Sequence, residues 1–148
     1  MTLTASSPPT LDQLNTMIGE LRQTLPFLYV DKVCAVSDDL TEILGAVTFA
    51  HPERYLPPSR NPLLIEALAQ LSSLLLRNFT NSRAGGVLAS VEDARWLGTL
   101  DPHTPAELSV RIHKISFPLF SLTGTVRQNG EILSIVDFTT RSNAGDPQ

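Results

Sequence analysis

Apolar residues recur at helical intervals near the start of the chain, at Leu11, Leu14, Met17, Ile18, Leu21 and Leu25. This spacing predicts a helix over 11–25, with Thr10 as its N-cap and Pro26 as its stop. Residues 27–36 are rich in strand formers and predict a strand. Ser37-Asp38-Asp39 signals a turn, and residues 41–50 predict the returning strand. Residues 51–61 hold Pro52, Pro57 and Pro58, which exclude helix and central strand. Asn61 as N-cap and Pro62 as first helical residue predict a second helix, running to about residue 78. Gly85-Gly86 breaks the chain. Strand patterns follow at 87–92, 94–97, 106–115, 119–128 and 131–140. In the third of these, Leu108, Val110 and Ile112 alternate with Ser109, Arg111 and His113, so one face is wet. Asn129-Gly130 predicts a two-residue hairpin turn. Residues 1–9 and 143–148, rich in Ser, Pro, Gly and Asn, predict loose ends around one domain over 10–142.

The second helix decides the fold class. Leu63, Leu64, Ile65, Ala67, Leu68, Ala69, Leu71, Leu74, Leu75 and Leu76 cover most of its circumference. A helix apolar nearly all round is buried, and a curled sheet wrapped around it is the economical arrangement. The expectation is an α+β domain. Four polar side chains interrupt the apolar surface: Glu66, Gln70, Ser73 and Arg77, at i, i+4, i+7 and i+11, share one stripe, and Ser72 lies off it. Two readings stand. The stripe is the solvent side of the helix, where Glu66 also gains from the helix N-terminus. Alternatively, Glu66 is a carboxylic acid held near an apolar cleft, tuned by desolvation for general acid work. In the second reading the backbone N–H groups of Leu63 and Leu64 point out of the helix end and polarise a thioester carbonyl.

Composition narrows the classes. The 148 residues suit one domain with a real core. A net charge of −4 and the absence of a basic run argue against a nucleic-acid surface. The one cysteine, Cys34, excludes an intramolecular disulfide and a thiolate cluster, and its apolar surroundings predict a small core residue. The first nine residues lack the pattern of a signal peptide, and no apolar run reaches the length of a membrane span. A cytoplasmic location is the default expectation. Three separated histidines give no metal-ligand spacing. No nucleophile elbow, P-loop or dinucleotide fingerprint occurs, and no cofactor is expected. His103 reads as an exposed turn residue, His113 as a solvated strand residue, and Trp96 as core or pocket wall.

Three strings resemble the bacterial 3-hydroxyacyl-ACP dehydratases, and they occur in the right order over 10–140. Leu25-Pro26-Phe27-Leu28-Tyr29-Val30-Asp31-Lys32-Val33 is similar to their "PFLLVDRV" entry. Leu64-Ile65-Glu66-Ala67-Leu68-Ala69-Gln70 is similar to their "IIEAMAQ" helix. Arg95-Trp96-Leu97 with Leu100-Asp101-Pro102 resembles their "RFRQPVLPGD" strand and turn. The resemblance implies a hotdog fold, a dimer or trimer of dimers, and removal of water from 3-hydroxyacyl chains on acyl carrier protein. It also implies an active site at the dimer interface, where a His of one subunit works with a Glu of the other.

The Glu carries over to Glu66. The family's "GHFPxxPxMPG" places its His at Pro52 here, and one extra loop residue brings His51 into place. Glu53-Arg54-Tyr55 replaces the middle of that motif, and Ser59-Arg60-Asn61 stands where "MPG" belongs. Asn61 therefore occupies the position of the glycine that helps hold the thioester. In the "LPHRYPF" segment, Leu21-Arg22-Gln23-Thr24-Leu25-Pro26-Phe27, the His is missing as well.

The resemblance thus implies Glu66 and His51 as catalytic residues. Asn61, Leu63, Leu64, Gln70 and Trp96 form the expected substrate-binding set. Arg54 and Arg60 are either phosphate contacts for a phosphopantetheine arm or surface charges. The expected partners are an acyl carrier protein or CoA thioester, and a second hotdog chain in a homodimer or heterodimer. Three readings remain: a dehydratase-like lyase, a non-catalytic partner subunit or acyl-binding protein, and a hotdog thioesterase in which Glu66 activates water.

Overall fold

Thr10 opens the first helix, α1 (Leu11–Ile18), with reciprocal bonds. Its hydroxyl accepts from the Gln13 N–H at 3.2 Å, and the Gln13 side chain accepts from the Thr10 N–H at 2.9 Å. Two backbone donors at the helix start are thereby satisfied. The computed structural model describes residues 9–144 except Glu20, Arg22, Thr24 and Pro26. α1 is shorter than its apolar spacing predicts: it closes at Gly19, a poor residue for continuing a helix. Leu21 is still buried with Leu14 and Ile18. Pro26, the expected stop, and the substituted positions Arg22 and Thr24 lie outside the described residues, as do most of the expected loose ends.

Six strands follow, β1 (Lys32–Val36), β2 (Glu42–Val47), β3 (Gly86–Trp96), β4 (Ala106–Ser116), β5 (Leu119–Gln128) and β6 (Glu131–Ser142), and α2 (Asn61–Phe79) lies between β2 and β3. All pairings are antiparallel, and the sheet order is β1-β2-β4-β5-β6-β3. Of the expected strand over 27–36, β1 covers only Lys32–Val36; just before it the Asp31 N–H donates to the Ala46 carbonyl at 2.9 Å, and further back the Tyr29 N–H is bonded to the Gln70 side chain. The two short strands expected over 87–97 are one strand, β3, with register shifts between Leu88 and Ser90 and between Val91 and Asp93. Such bulges bend a strand and raise its twist. Asn129 and Gly130 have φ of 52° and 79°, and both positive angles fit the two-residue turn that joins β5 to β6. Cys34 corrects its reading as a core residue: Val33 points inward, so its neighbour is exposed.

α2 lies in the concavity of the sheet. It begins one residue before the expected position, with Arg60 as N-cap and Asn61 already helical, and Arg60 makes no side-chain cap. Leu64, Leu68, Leu71, Leu74, Leu75 and Leu76 are fully buried against Phe49, Phe120 and Phe138. The approach is closest over glycines. A Cβ on Gly124 would lie 2.8 Å from Leu68 Cδ1, and one on Gly45 would lie 3.0 Å from Leu71 Cδ1. A side chain larger than hydrogen there would force the Leu68 and Leu71 side chains to shift within a packed core.

The sheet order leaves β3 with one unpaired side. Leu88, Val91 and Trp96 oppose Thr140, Phe138 and Ser134 of β6, whose side chains are buried, so these three share the concave face. They are nevertheless 39–40% exposed. A long edge strand with exposed apolar side chains is a surface prone to pairing.

Candidate functional site

The polar stripe of α2 is not the solvent side. Gln70, Ser73 and Arg77 are only 1%, 8% and 6% exposed, and Glu66 is half-buried. All four line a cleft of about 320 Å³, whose opposite side is Gly86, Val87 and Leu88 at the start of β3. The periodicity of the helix places them there, since residues spaced at i, i+4, i+7 and i+11 follow one face. The cleft differs from the apolar one expected around Glu66, because its helix wall is polar except at Ala69. Ser72 lies off the stripe: its hydroxyl donates to the Ala69 carbonyl at 2.6 Å and lies 3.3 Å from Thr140 Oγ1.

Gln70 fixes Glu66 to the segment before β1. Its Oε1 accepts from the Tyr29 N–H at 2.8 Å. Its Nε2 donates to the Phe27 carbonyl at 2.9 Å and to Glu66 Oε1 at 3.0 Å. Both protons of the amide are thus used, and Gln70 orients the carboxylate. The buried Tyr29 hydroxyl donates to the Tyr55 carbonyl at 2.7 Å. Burial raises the Tyr29 phenol above its ordinary range, and the negative charge of Glu66 raises it further.

Glycine backbone passes close to Ser73 and Arg77. Gly85 has φ of +64°, and a Cβ there would sit 2.5 Å from Ser73 Oγ and 3.2 Å from Arg77 Nε. The Gly86 N–H donates to Ser73 Oγ at 3.3 Å. The Gly85-Gly86 break in the sequence is therefore where the chain passes closely over the polar stripe.

The remaining candidates lie elsewhere. His51 is exposed in the turn after β2, where its Nδ1 accepts from the Glu53 N–H at 3.1 Å; it does not line the Glu66 cleft. Asn61 and Trp96 do share a hollow, of about 530 Å³, with Ser59, Arg60 and Thr99. Trp96 is thus a pocket wall, at a different cleft from Glu66. The expected donors at Leu63 and Leu64 need correction. Their N–H groups both donate to the Arg60 carbonyl, at 3.0 and 3.3 Å, and their side chains are buried. The early helix start supplies that carbonyl as acceptor.

Arg54 is neither a phosphate contact nor a surface charge. Its side chain is 4% exposed. Nε donates to the Leu28 carbonyl at 2.6 Å, one amino group to the Thr48 carbonyl at 2.7 Å, and the other to Asp31 Oδ1 at 2.5 Å. The second Asp31 oxygen accepts from the Thr48 N–H at 2.7 Å. This clamp holds the proline-rich loop against the entry to β1, and sequence reasoning missed it because its partners lie far apart along the chain. Arg60 donates to the Pro57 carbonyl. His103 and His113 are exposed, and the His103 N–H donates to Asp101 at 2.9 Å. Among the described residues, no three His, Cys, Asp or Glu side chains gather as metal ligands. No described helix is long and apolar enough to cross a membrane.

No protein-family model and no curated protein matches the sequence. Solved structures do match it in shape. A thioesterase from Haemophilus influenzae aligns with a TM-score of 0.70 at 11% identity, covering 96% of this chain and 97% of that one. A hypothetical thioesterase from Streptococcus pneumoniae, solved with coenzyme A, aligns with a TM-score of 0.62 at 10% identity, covering 78% of this chain and 90% of that one. The dehydratase heterocomplex ApeI:P from Xenorhabdus doucetiae aligns with a TM-score of 0.60 at 18% identity, covering 86% of this chain and 91% of that one. The long helix wrapped by a curled antiparallel sheet is the hotdog fold, and this chain has it.

Proposed function

We propose that the chain is a dehydratase-like protein that takes an acyl thioester, carried on acyl carrier protein or CoA, into the Glu66 cleft. The observation that carries this reading is Glu66 itself. It is a half-buried carboxylate, oriented by Gln70, in a cleft beside the unpaired edge of β3. In the elimination, the C2 proton leaves to a base, the C3–O bond breaks and a C2=C3 double bond forms. Glu66 protonates the departing hydroxyl, which leaves as water. The base is His51 of a second chain paired along β3, because the His51 of the same chain does not line the cleft. The partner is a second copy or a related hotdog chain, and the exposed Leu88, Val91 and Trp96 support that pairing. Asn61 and Trp96, in their shared hollow, hold the carrier-linked part of the thioester. We place this chemistry in the cytoplasm.

Two readings compete. In a thioesterase, Glu66 activates water instead of protonating a hydroxyl, and the shape match to thioesterases over nearly the whole chain favours it. In a non-catalytic partner subunit the cleft binds without turnover, and the exposed His51 in a rewritten loop favours that.

Hydration of a crotonyl or longer enoyl thioester separates them, measured for the native chain, Glu66→Gln and His51→Ala. The lyase reading expects native turnover and a loss of about 10²–10⁴-fold in each variant. Background rates in all three, without thioester hydrolysis, support the partner-subunit reading. Hydrolysis that depends on Glu66 supports the thioesterase. Native turnover matched by His51→Ala assigns the base to another residue.

A further inference from the structure

We propose that the end of the molecule built around the turn between β4 and β5 docks on an anionic lipid surface. The turn presents three large apolar side chains to solvent: Ile115, Phe117 and Leu119 are 46%, 36% and 42% exposed. It also projects past its neighbour on one side. Glu42, the first residue of β2, pairs with Arg111, and β4 runs on from there to Ser116, about 16 Å further. Apolar side chains gathered on one exposed turn mark a contact surface.

Two other segments are tied to this turn. The Ser142 N–H donates to the Pro118 carbonyl at 2.7 Å, and the Asn143 N–H donates to the Gly85 carbonyl at 3.0 Å. Leu119 opposes Arg141 of β6, and Arg141 opposes Val87 of β3. The end thus consists of residues 79–88, 112–121 and 138–144. None of them is Asp or Glu, in a chain whose net charge is −4. They carry instead Arg83, Lys114 and Arg141, all exposed and none in an ion pair among the described residues. Asp38 and Asp39 flank the end on the side away from β6, in the turn between β1 and β2 that meets β4 at Ile112. The Asp39 carboxylate there accepts from the Ser37 and Thr41 hydroxyls.

An apolar tip with cations around its base matches the boundary between lipid headgroups and acyl chains. The tip leaves water, and the guanidinium and ammonium groups meet phosphate. A protein partner must offer a socket to receive a projecting turn, whereas a lipid surface needs none. Ala84, Gly86 and Val87 belong both to this end and to the Glu66 cleft, so docking brings the cleft to the lipid surface. The inference does not depend on the reaction assigned to that cleft.

The test is sedimentation of the native full chain with vesicles of phosphatidylcholine alone and of phosphatidylcholine mixed in equal parts with phosphatidylglycerol. Partition onto the anionic vesicles alone is expected, and added salt weakens it. Lys114→Glu and Arg141→Glu each lower the partition by about fivefold or more, the worth of one cation at an anionic surface. Ile115→Ser lowers it by about fivefold, for the part of the side chain that leaves water. Thermal melts establish that each variant is folded; if Ile115→Ser is not, the two exposed charge variants decide the matter. Native chain that stays in solution with both vesicles overturns the proposal. So does binding to anionic vesicles that neither charge variant weakens, which places the contact elsewhere on the molecule. A chain that ignores vesicles but binds an acidic acyl carrier protein through Lys114 and Arg141 also overturns it, and reassigns the surface to that partner.

Discussion

Gln70 Nε2 donates to Glu66 Oε1 at 3.0 Å, one helical turn away on the same face of α2. The same amide ties α2 to the segment before β1, through the Phe27 carbonyl and the Tyr29 N–H. The carboxylate is therefore positioned by a residue whose other bonds hold the fold. Gln70→Leu removes all three bonds and leaves the buried Tyr29 N–H and the part-buried Phe27 carbonyl without these partners. A loss of about 1–3 kcal/mol per unsatisfied group sets the scale. Urea denaturation measures the loss. Gln70→Glu, which keeps the acceptor for the Tyr29 N–H but sets a second acid beside Glu66, is expected to be destabilised at neutral pH and to recover as pH falls.

The Tyr29 phenol gives the pH dependence on the alkaline side. Its folded pKa is raised by burial first and by Glu66 second. Its contribution to stability is therefore complete below the unfolded value of about 10 and is lost as pH rises through the folded value. Denaturation midpoints are expected to fall across that window in the native chain. Tyr29→Phe removes this component of the slope, at the cost of the bond to the Tyr55 carbonyl. Glu66→Gln shifts the phenol titration downward, toward but not to the ordinary value, because burial remains. Ultraviolet difference spectra of tyrosinate read the shift, and an unchanged titration in Glu66→Gln would remove Glu66 as its second cause.

Arg54 holds the loop that carries His51. Arg54→Met removes the Arg54 donors from the Leu28 and Thr48 carbonyls and from Asp31, which keeps only its bond from the Thr48 N–H. Asp31 is 39% exposed, so solvent offsets part of the loss, and a destabilisation of about 2–4 kcal/mol is expected. Arg54→Lys recovers little of it, since an ammonium group cannot reproduce three directed bonds from one planar fork. Thermal melts of the two variants against the native chain check this. A lysine variant as stable as the native chain would show that charge alone is what the clamp supplies.

The unpaired edge of β3 is expected to hold a second chain. Light scattering of the native chain at micromolar concentration should show a dimer, and Val91→Lys, which puts a charge on the concave face of that edge, should shift it to monomer. A native chain that stays monomeric contradicts a homodimer and leaves pairing to a related hotdog partner.

The architecture was legible because its signals are local and periodic. The all-round apolar helix and the alternating strands announced a buried helix in a sheet, and Asn129-Gly130 announced its hairpin. The stripe of Glu66, Gln70, Ser73 and Arg77 was read from spacing alone, but spacing left open whether it faces solvent or a cleft, and burial against the start of β3 decides for the cleft. Contacts between distant segments carried no such signal. The bonds from Gln70 to residues 27 and 29 span 43 and 41 positions, and the Arg54–Asp31 pair spans 23. Leu63 and Leu64 were misread as free donors because the helix starts one residue early, which turns the Arg60 carbonyl into their acceptor. Cys34 was misread because an apolar run does not reveal which residue of an alternating strand points outward.

The central claim is that Glu66 meets the reacting carbons of an acyl thioester. A crystal structure of the chain with a non-hydrolysable 3-hydroxyacyl thioester analogue tests it most directly. The account predicts the analogue in the Glu66 cleft, with the carboxylate about 2.6–3.2 Å from the 3-hydroxyl oxygen, the distance that proton transfer requires. An analogue bound away from the cleft, with Glu66 facing bulk water, would contradict it.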